Sequence, residues 1–285
     1  VMVIAALLVG AIWHRPGTGW TPGERGVLLP HDSGLNWIWI GVGVSALVLL
    51  CSVVWTIEVL AEIEGPSART AVTIEVTGRQ WWWQVRYLDD DPARQFTTAN
   101  EIHIPTGVPV RLRLTGGDVI HSFWVPRLAG KMDAIPGQTN ETWIEADAPG
   151  TYRGQCTEYC GLEHARMGFE VVAQTPADFR KWRARQLALP SPVQGNALAG
   201  QQDFVAHCGG CHRVRGTDAN GALGPDLSHL MLRTTLASAT LANTKANLAR
   251  WVSDPQSLKP GSLMPAPELS QSELADVLAY LRTLD

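Results

Sequence analysis

The chain has 285 residues, enough for about two domains, and its net charge of −4 argues against nucleic acid as a partner. Five cysteines are few for a disulfide scaffold of this length, and four of them fall in two compact motifs, which points to cofactors rather than cross-links. Twelve tryptophans are many, and several flank apolar runs, as interfacial aromatics do.

Residues 1–13 are apolar throughout but short of the about 20 residues that a membrane span needs. The sequence does not begin with Met, so the expectation is a first span that began earlier and is truncated or processed. A cleaved signal peptide is the rival, but no small-residue cleavage site follows. Residues 14–36 form a Gly/Pro-rich loop with Arg15 and Arg25. Residues 35–57 are a second apolar run, long enough to cross a bilayer, followed by Glu58, Glu62 and Glu64. Basic residues between the spans and acidic ones after them put the loop in the cytoplasm and the remainder on the outer face. Cys51, alone in the apolar run, reads as an inert helix residue.

Residues 71–173 read as strands. Alternating runs at 71–77, 103–105, 108–114, 119–125, 141–145 and 168–173 are separated by turn clusters at 89–92, 115–118 and 147–150. Many short strands with turns indicate a β-sandwich. Trp81, Trp82 and Trp83 are consecutive, so strand alternation should leave at least one exposed. Thr175 as cap with Pro176 in the first turn opens a helix to about residue 187, and residues 190–196 (PSPVQGN) are a linker by composition.

Within residues 154–167 (GQCTEYCGLEHARM) Cys156, Cys160, His164 and Met167 follow the pattern C-x3-C-x3-H-x2-M. Thiolate, imidazole and thioether together select copper among common metals. His121 in VIHSFWV is a fifth candidate, and one strand His plus a dense ligand loop is the blue-copper plan, here with two cysteines instead of one. Two rivals use part of this set. A structural zinc would take two Cys and two His but has no need of Met167. A Cys156–Cys160 disulfide would leave the His–Met spacing without a role.

Residues 197–285 read as a second, helical domain. Cys208-Gly-Gly-Cys211-His212 is C-x-x-C-H, the c-type haem attachment signature, in which both thiols form thioethers and His212 lies under the iron. A redox C-x-x-C does not ask for the following His, and a zinc knuckle would need two more ligands. A helix at 198–207 leads into the motif. Ser270 and Glu273 form a capping box for a helix at 271–284, with Leu274, Val277, Leu278 and Leu281 as its apolar stripe. His14, His31, His103, His207 and His229 have no partner pattern and read as ordinary histidines, with His207 able to brush the haem edge.

On these residues the first 185 or so positions resemble cytochrome c oxidase subunit II. His121, Cys156, Glu158, Cys160, His164 and Met167 match the dinuclear copper (CuA) motif at every ligand position, and residues 78–83 (GRQWWW), 121–126 (HSFWVP), 131–137 (KMDAIPG) and 154–161 (GQCTEYCG) agree. The resemblance implies two coppers bridged by the Cys156 and Cys160 thiolates. His121 and His164 would each take one copper, with Met167 and the Glu158 carbonyl as weak ligands. The Glu158 side chain would face subunit I, where the family places a magnesium. It also implies a Greek-key cupredoxin, Trp81 as the aromatic through which electrons arrive, and Asp118 in a docking patch that is otherwise thin, since Gly117 and Ala99 are neutral. Neither Glu24 nor Asp32 aligns with the family's proton-path carboxylate, whose expected position holds Gly34.

The C-terminal part is similar to class I cytochrome c. Pro225 of GPDL (224–227) would accept from the proximal imidazole, and Met264 of LKPGSLMP (258–265) would be the sixth ligand, with Met231 as rival in a region that looks helical. Together the resemblances imply a caa-type arrangement with a haem c fused to the copper subunit. The expected fold is a mixed multidomain chain: a transmembrane helical hairpin (1–64), a cupredoxin (65–175), a helix and linker (176–196) and an all-α cytochrome c domain (197–285). The implied setting is a bacterial cytoplasmic membrane with two helices in lipid. Implied partners are subunits I and III, with an upstream cytochrome c or quinol-cytochrome c reductase as donor. The oxygen-reducing site would lie in another chain. The alternatives are an electron-delivery subunit of a CuA-containing nitric oxide reductase, and a copper-free quinol-oxidase subunit II, which the intact cysteines and histidines oppose.

Overall fold

A computed structural model describes residues 33–64, 70 and 72–285. Residues 1–32, with the first apolar run and His14, Glu24, His31 and Asp32, lie outside the described residues, and 33–36, expected as the end of the loop, are already helical. Among those described, the expected hairpin is therefore represented by one helix, α1 (Ser33–Glu64). Its stretch Asn36–Ala61 is long and apolar enough to cross a membrane and buries nothing against protein. Ser52 and Thr56 turn their hydroxyls back to the carbonyls of Val48 and Ser52, at 2.8 and 2.7 Å, so neither presents an unmade hydrogen bond to lipid. The chain divides into two units, one ending at Val59 and one from Leu60 to Asp285.

The second unit opens with ten strands: β1 (Val72–Arg79), β2 (Trp82–Leu88), β3 (Phe96–Ala99), β4 (Glu101–Pro105), β5 (Val110–Gly116), β6 (His121–Trp124), β7 (Met132–Ala134), β8 (Asn140–Ile144), β9 (Gly150–Cys156) and β10 (Gly168–Gln174). They form two five-stranded sheets, ordered β3-β2-β1-β5-β8 and β4-β10-β9-β6-β7. The parallel pairs β1–β5 and β4–β10 cannot be closed by hairpins, so the chain repeatedly switches sheets. Alternation supplies the core: in β5, Val110, Leu112 and Leu114 are buried and Arg111 is exposed. Trp83, Tyr87, Phe123 and Phe169 are among the fully buried side chains between the sheets, each stabilising the sandwich by about 1.5–3 kcal/mol.

Helix α2 (Pro176–Leu187) starts as expected, with the Thr175 side chain accepting from the Asp178 amide. It is more than a connector, because Phe179 and Trp182 complete the sandwich core and Trp182 packs on Tyr87 and Phe96. After the linker come α3 (Asn196–His207), α4 (Lys245–Ser253), α5 (Pro255–Leu258) and α6 (Gln271–Leu281). The Ser270/Glu273 capping box is formed. Phe204 of α3 meets Tyr280 of α6 at 5.5 Å between ring centroids, inside a core that includes Val277, Leu278 and Leu281.

Candidate copper and haem sites

One end of the sandwich gathers the soft ligands. His121 begins β6, Cys156 ends β9, and the loop back to β10 brings Cys160, His164 and Met167. The two sulfurs of Cys156 and Cys160 are 3.8 Å apart and not bonded. The Cys156 sulfur lies 3.9 Å from His121 Nδ1 and 3.2 Å from the Glu158 carbonyl oxygen. The Cys160 sulfur lies 3.5 Å from His164 Nδ1 and 3.7 Å from the Met167 sulfur. All six expected donors thus converge, the Glu158 one through its backbone. Cys156, Cys160 and Met167 are buried, as is His121. The geometry fits a pair of soft cations between two bridging thiolates, since each sulfur has its own imidazole and its own weak donor.

Approach of the Cys160 sulfur holds the Cys156 thiol down to about 3 against the effect of burial. The same approach pushes its partner up. Asp118 Oδ1 accepts from His121 Nε2 at 2.8 Å, which fixes the tautomer and turns the Nδ1 lone pair to the sulfurs. Burial opposes protonation of His121, but Cys156 and Asp118 outweigh it and raise its pKa.

Asp118 was legible only as a docking acid. Its carboxylate also accepts from the backbone amides of Gln80 and Val119, both at 2.6 Å, so it ties the His121 loop to the Trp81 segment. The signal available in the sequence was an acid three residues before a ligand His. Of the three tryptophans, Trp83 is buried and Trp81 and Trp82 are half-buried. Trp83 stands edge-on to His121 at 5.9 Å. Trp81 Nε1 donates to the Cys160 carbonyl at 3.0 Å.

In the helical domain, Cys208, Cys211 and His212 occupy a tight turn at the end of α3, with the amides of Cys211 and His212 donating to the Cys208 carbonyl at 3.1 and 2.9 Å. His212 Nδ1 is 2.8 Å from the Pro225 carbonyl oxygen. That oxygen only accepts, so Nδ1 carries the proton and Nε2 is left as a ligand. Burial lowers the His212 pKa, which favours the neutral imidazole. A Cβ on Gly224 would come within 2.6 Å of the His212 ring, so the residue before Pro225 must be glycine for this approach. These residues fit a covalently attached haem. Met264 lies on a loop that Gln256 organises, its side chain donating to the carbonyls of Ser262 and Met264 and accepting from the Gly261 amide. Met231 sits in a short 3-10 turn, packed against the domain core, with its amide bonded to the Leu284 carbonyl.

The two cofactor-bearing domains touch through groups that gave little sign in the sequence. Glu101 of β4 is buried and accepts from the Thr234 amide and hydroxyl, at 2.8 and 2.6 Å, and from His103 Nε2 at 2.8 Å. His103 is buried and stacks on Trp182 at 4.1 Å, a core histidine that backs the Glu101 carboxylate. His229, also buried, has Nδ1 2.9 Å from the Asp285 oxygen, and its Nε2 lies 2.9 Å from Arg215 Nη2 and 3.1 Å from the Ala188 carbonyl oxygen. His207 approaches Glu273 at 4.0 Å. The Trp81 carbonyl accepts from Ser238 at 2.8 Å and from the Lys259 ammonium at 2.6 Å.

Known proteins resemble both domains. Residues 87–174 match the family described as cytochrome c oxidase subunit II, periplasmic domain, and residues 197–285 match the cytochrome c family. Cytochrome c oxidase subunit 2 of Alkalihalophilus pseudofirmus is 35% identical, over 100% of this chain and 84% of that relative. The protein of the same description from Bacillus sp. strain PS3 is 30% identical, over 89% of this chain and 74% of its own length. The crystal structure of the periplasmic domain of subunit II of cytochrome oxidase (CoxB) from Bradyrhizobium japonicum shares 34% identity, covering 42% of this chain and 95% of that one with a TM-score of 0.40. The chain belongs to the cytochrome c oxidase subunit II family, whose members are subunits of an oxidoreductase complex, and it carries a C-terminal cytochrome c domain.

Proposed function

We propose that this chain is the electron inlet of a respiratory haem-copper oxidase, anchored by α1 with both cofactor domains on the outer face of the membrane. When bound, a haem on Cys208 and Cys211 and a copper pair on Cys156 and Cys160 supply the one-electron carriers between an external donor and the catalytic subunit. His212, and Met264 in preference to Met231, would hold the haem; His121, His164, Met167 and the Glu158 carbonyl would complete the copper site. The half-exposed Glu158 side chain remains available to a magnesium at the boundary with subunit I.

The observation that carries the reading is the Trp81 bridge. Its carbonyl is held by Ser238 and Lys259 of the cytochrome domain, and its indole donates to Cys160 of the copper loop. One residue therefore bonds both domains. Fusion of the donor raises its effective concentration at the copper site and removes dependence on diffusional docking, which accords with the thin acidic patch around Asp118.

The test is flash reduction of the haem in the purified assembly, followed by the haem and copper absorption bands, with turnover on oxygen and on nitric oxide measured in parallel. Electrons appearing at copper after the haem, with turnover on oxygen, support the reading. Copper reduced before the haem would reverse the path, and turnover on nitric oxide alone would move the chain to a nitric oxide reductase.

A further inference from the structure

Lys259 is nearly absent from the surface, at 3% exposed. It lies five residues before Met264, at the start of the loop that carries it. Its ammonium leaves the cytochrome domain and donates to two carbonyls of the copper domain, Trp81 at 2.6 Å and Arg166 at 2.8 Å. Arg166 immediately precedes the ligand Met167, and Trp81 bonds Cys160. The ionisable groups facing the ammonium are Glu163, itself buried and paired with Arg166 at 3.1 Å, together with Arg166 and Cys160. The same loop makes a second approach, because a Cβ on Gly261 would come within 2.7 Å of the Leu162 side chain on the copper loop.

An ammonium taken out of water is costly unless its donors are met. Here two of them are met only while the domains are docked in one register. An apolar side chain in the same place would tolerate sliding, whereas two carbonyls from separate segments define a position. We propose that Lys259 is a positioning residue that pins the Met264 loop to the backbone on both sides of the copper site, and so fixes the haem domain against the copper domain. The inference rests on the electron-inlet reading for its consequence and on the contacts alone for its geometry.

The test uses the assembled complex carrying Lys259→Met, with Lys259→Gln, which keeps a donor for one carbonyl, as the milder variant should the first fail to assemble. Two readouts are taken after the copper EPR and haem spectra are matched to the parent. Amide exchange in residues 157–167 and 256–264 should quicken about tenfold or more, the order expected for losing a charge-assisted contact. Haem-to-copper transfer, independent of solvent viscosity in the parent, should slow and become viscosity-dependent in the variant, while reduction of the haem by an external donor is unchanged. Unchanged protection with viscosity-independent transfer in both variants would overturn the proposal. If the parent haem never passes electrons to copper, the inlet reading fails instead, and the exchange measurement still decides whether Lys259 is the pin.

Discussion

Trp81 Nε1 donates to the Cys160 carbonyl at 3.0 Å, an oxygen that also accepts from Gln80 Nε2 at 2.8 Å. Because Gln80 remains, replacing Trp81 by Phe leaves that carbonyl bonded. Trp81→Phe should cost about 1 kcal/mol of stability and leave the copper spectrum intact. Haem-to-copper transfer after flash reduction should slow, since the bonded bridge to the copper loop is lost. An unchanged transfer rate would remove Trp81 from the path.

Gly78 supports the copper site without ligating it. A Cβ there would come within 2.7 Å of His121 Cδ2, and Asp118 holds the ring at the neighbouring Nε2, so the ring cannot simply turn away. Gly78→Ala should destabilise by about 1–3 kcal/mol, as overpacking does. It should also distort the copper EPR spectrum although no ligand has changed. Gly224→Ala should act likewise on the His212 ring, altering the haem spectrum while both thioether bonds still form.

Acid should loosen the interdomain contact through Glu101. Burial raises the pKa of this carboxyl, but His103 and Thr234 outweigh burial and hold it below the ordinary 4.5. A depressed carboxylate contributes stability that is complete above its unfolded value and is lost as pH falls through the folded one. Thermal stability of the parent should therefore drop below about pH 4.5 more steeply than that of Glu101→Gln. At neutral pH the variant itself should be about 1–3 kcal/mol less stable, from unmade buried hydrogen bonds. Parallel pH profiles for the two proteins would contradict this.

Met264→Ala should leave the haem attached but lower its potential and admit exogenous ligands, because Met/His ligation is what raises the potential of such a haem. Met231→Ala should reduce stability by about 2–5 kcal/mol at most, through lost packing, and leave the potential unchanged. The reverse result would move the sixth ligand to Met231.

The cluster of expected copper donors was legible because five of the six are side chains with distinctive chemistry at short spacing. The haem motif was legible for the same reason, and so were the caps at Thr175 and Ser270. Strands β2, β3, β7 and β9 were not singled out as runs. β7 has three residues, and β9 (GTYRGQC) carries two glycines and only one large apolar side chain before Cys156. The interdomain contacts left no pattern because Glu101 and Thr234 are 133 residues apart, and Lys259 and Trp81 are 178 apart. A lysine in a Met loop reads as a surface charge until the fold shows what covers it.

The most direct measurement is the metal content and copper EPR of the full-length chain matured with haem and copper. The account predicts two coppers per haem and a mixed-valence spectrum whose hyperfine structure is shared over both nuclei. A single copper with ordinary hyperfine splitting, or zinc at Cys156 and Cys160, would contradict it.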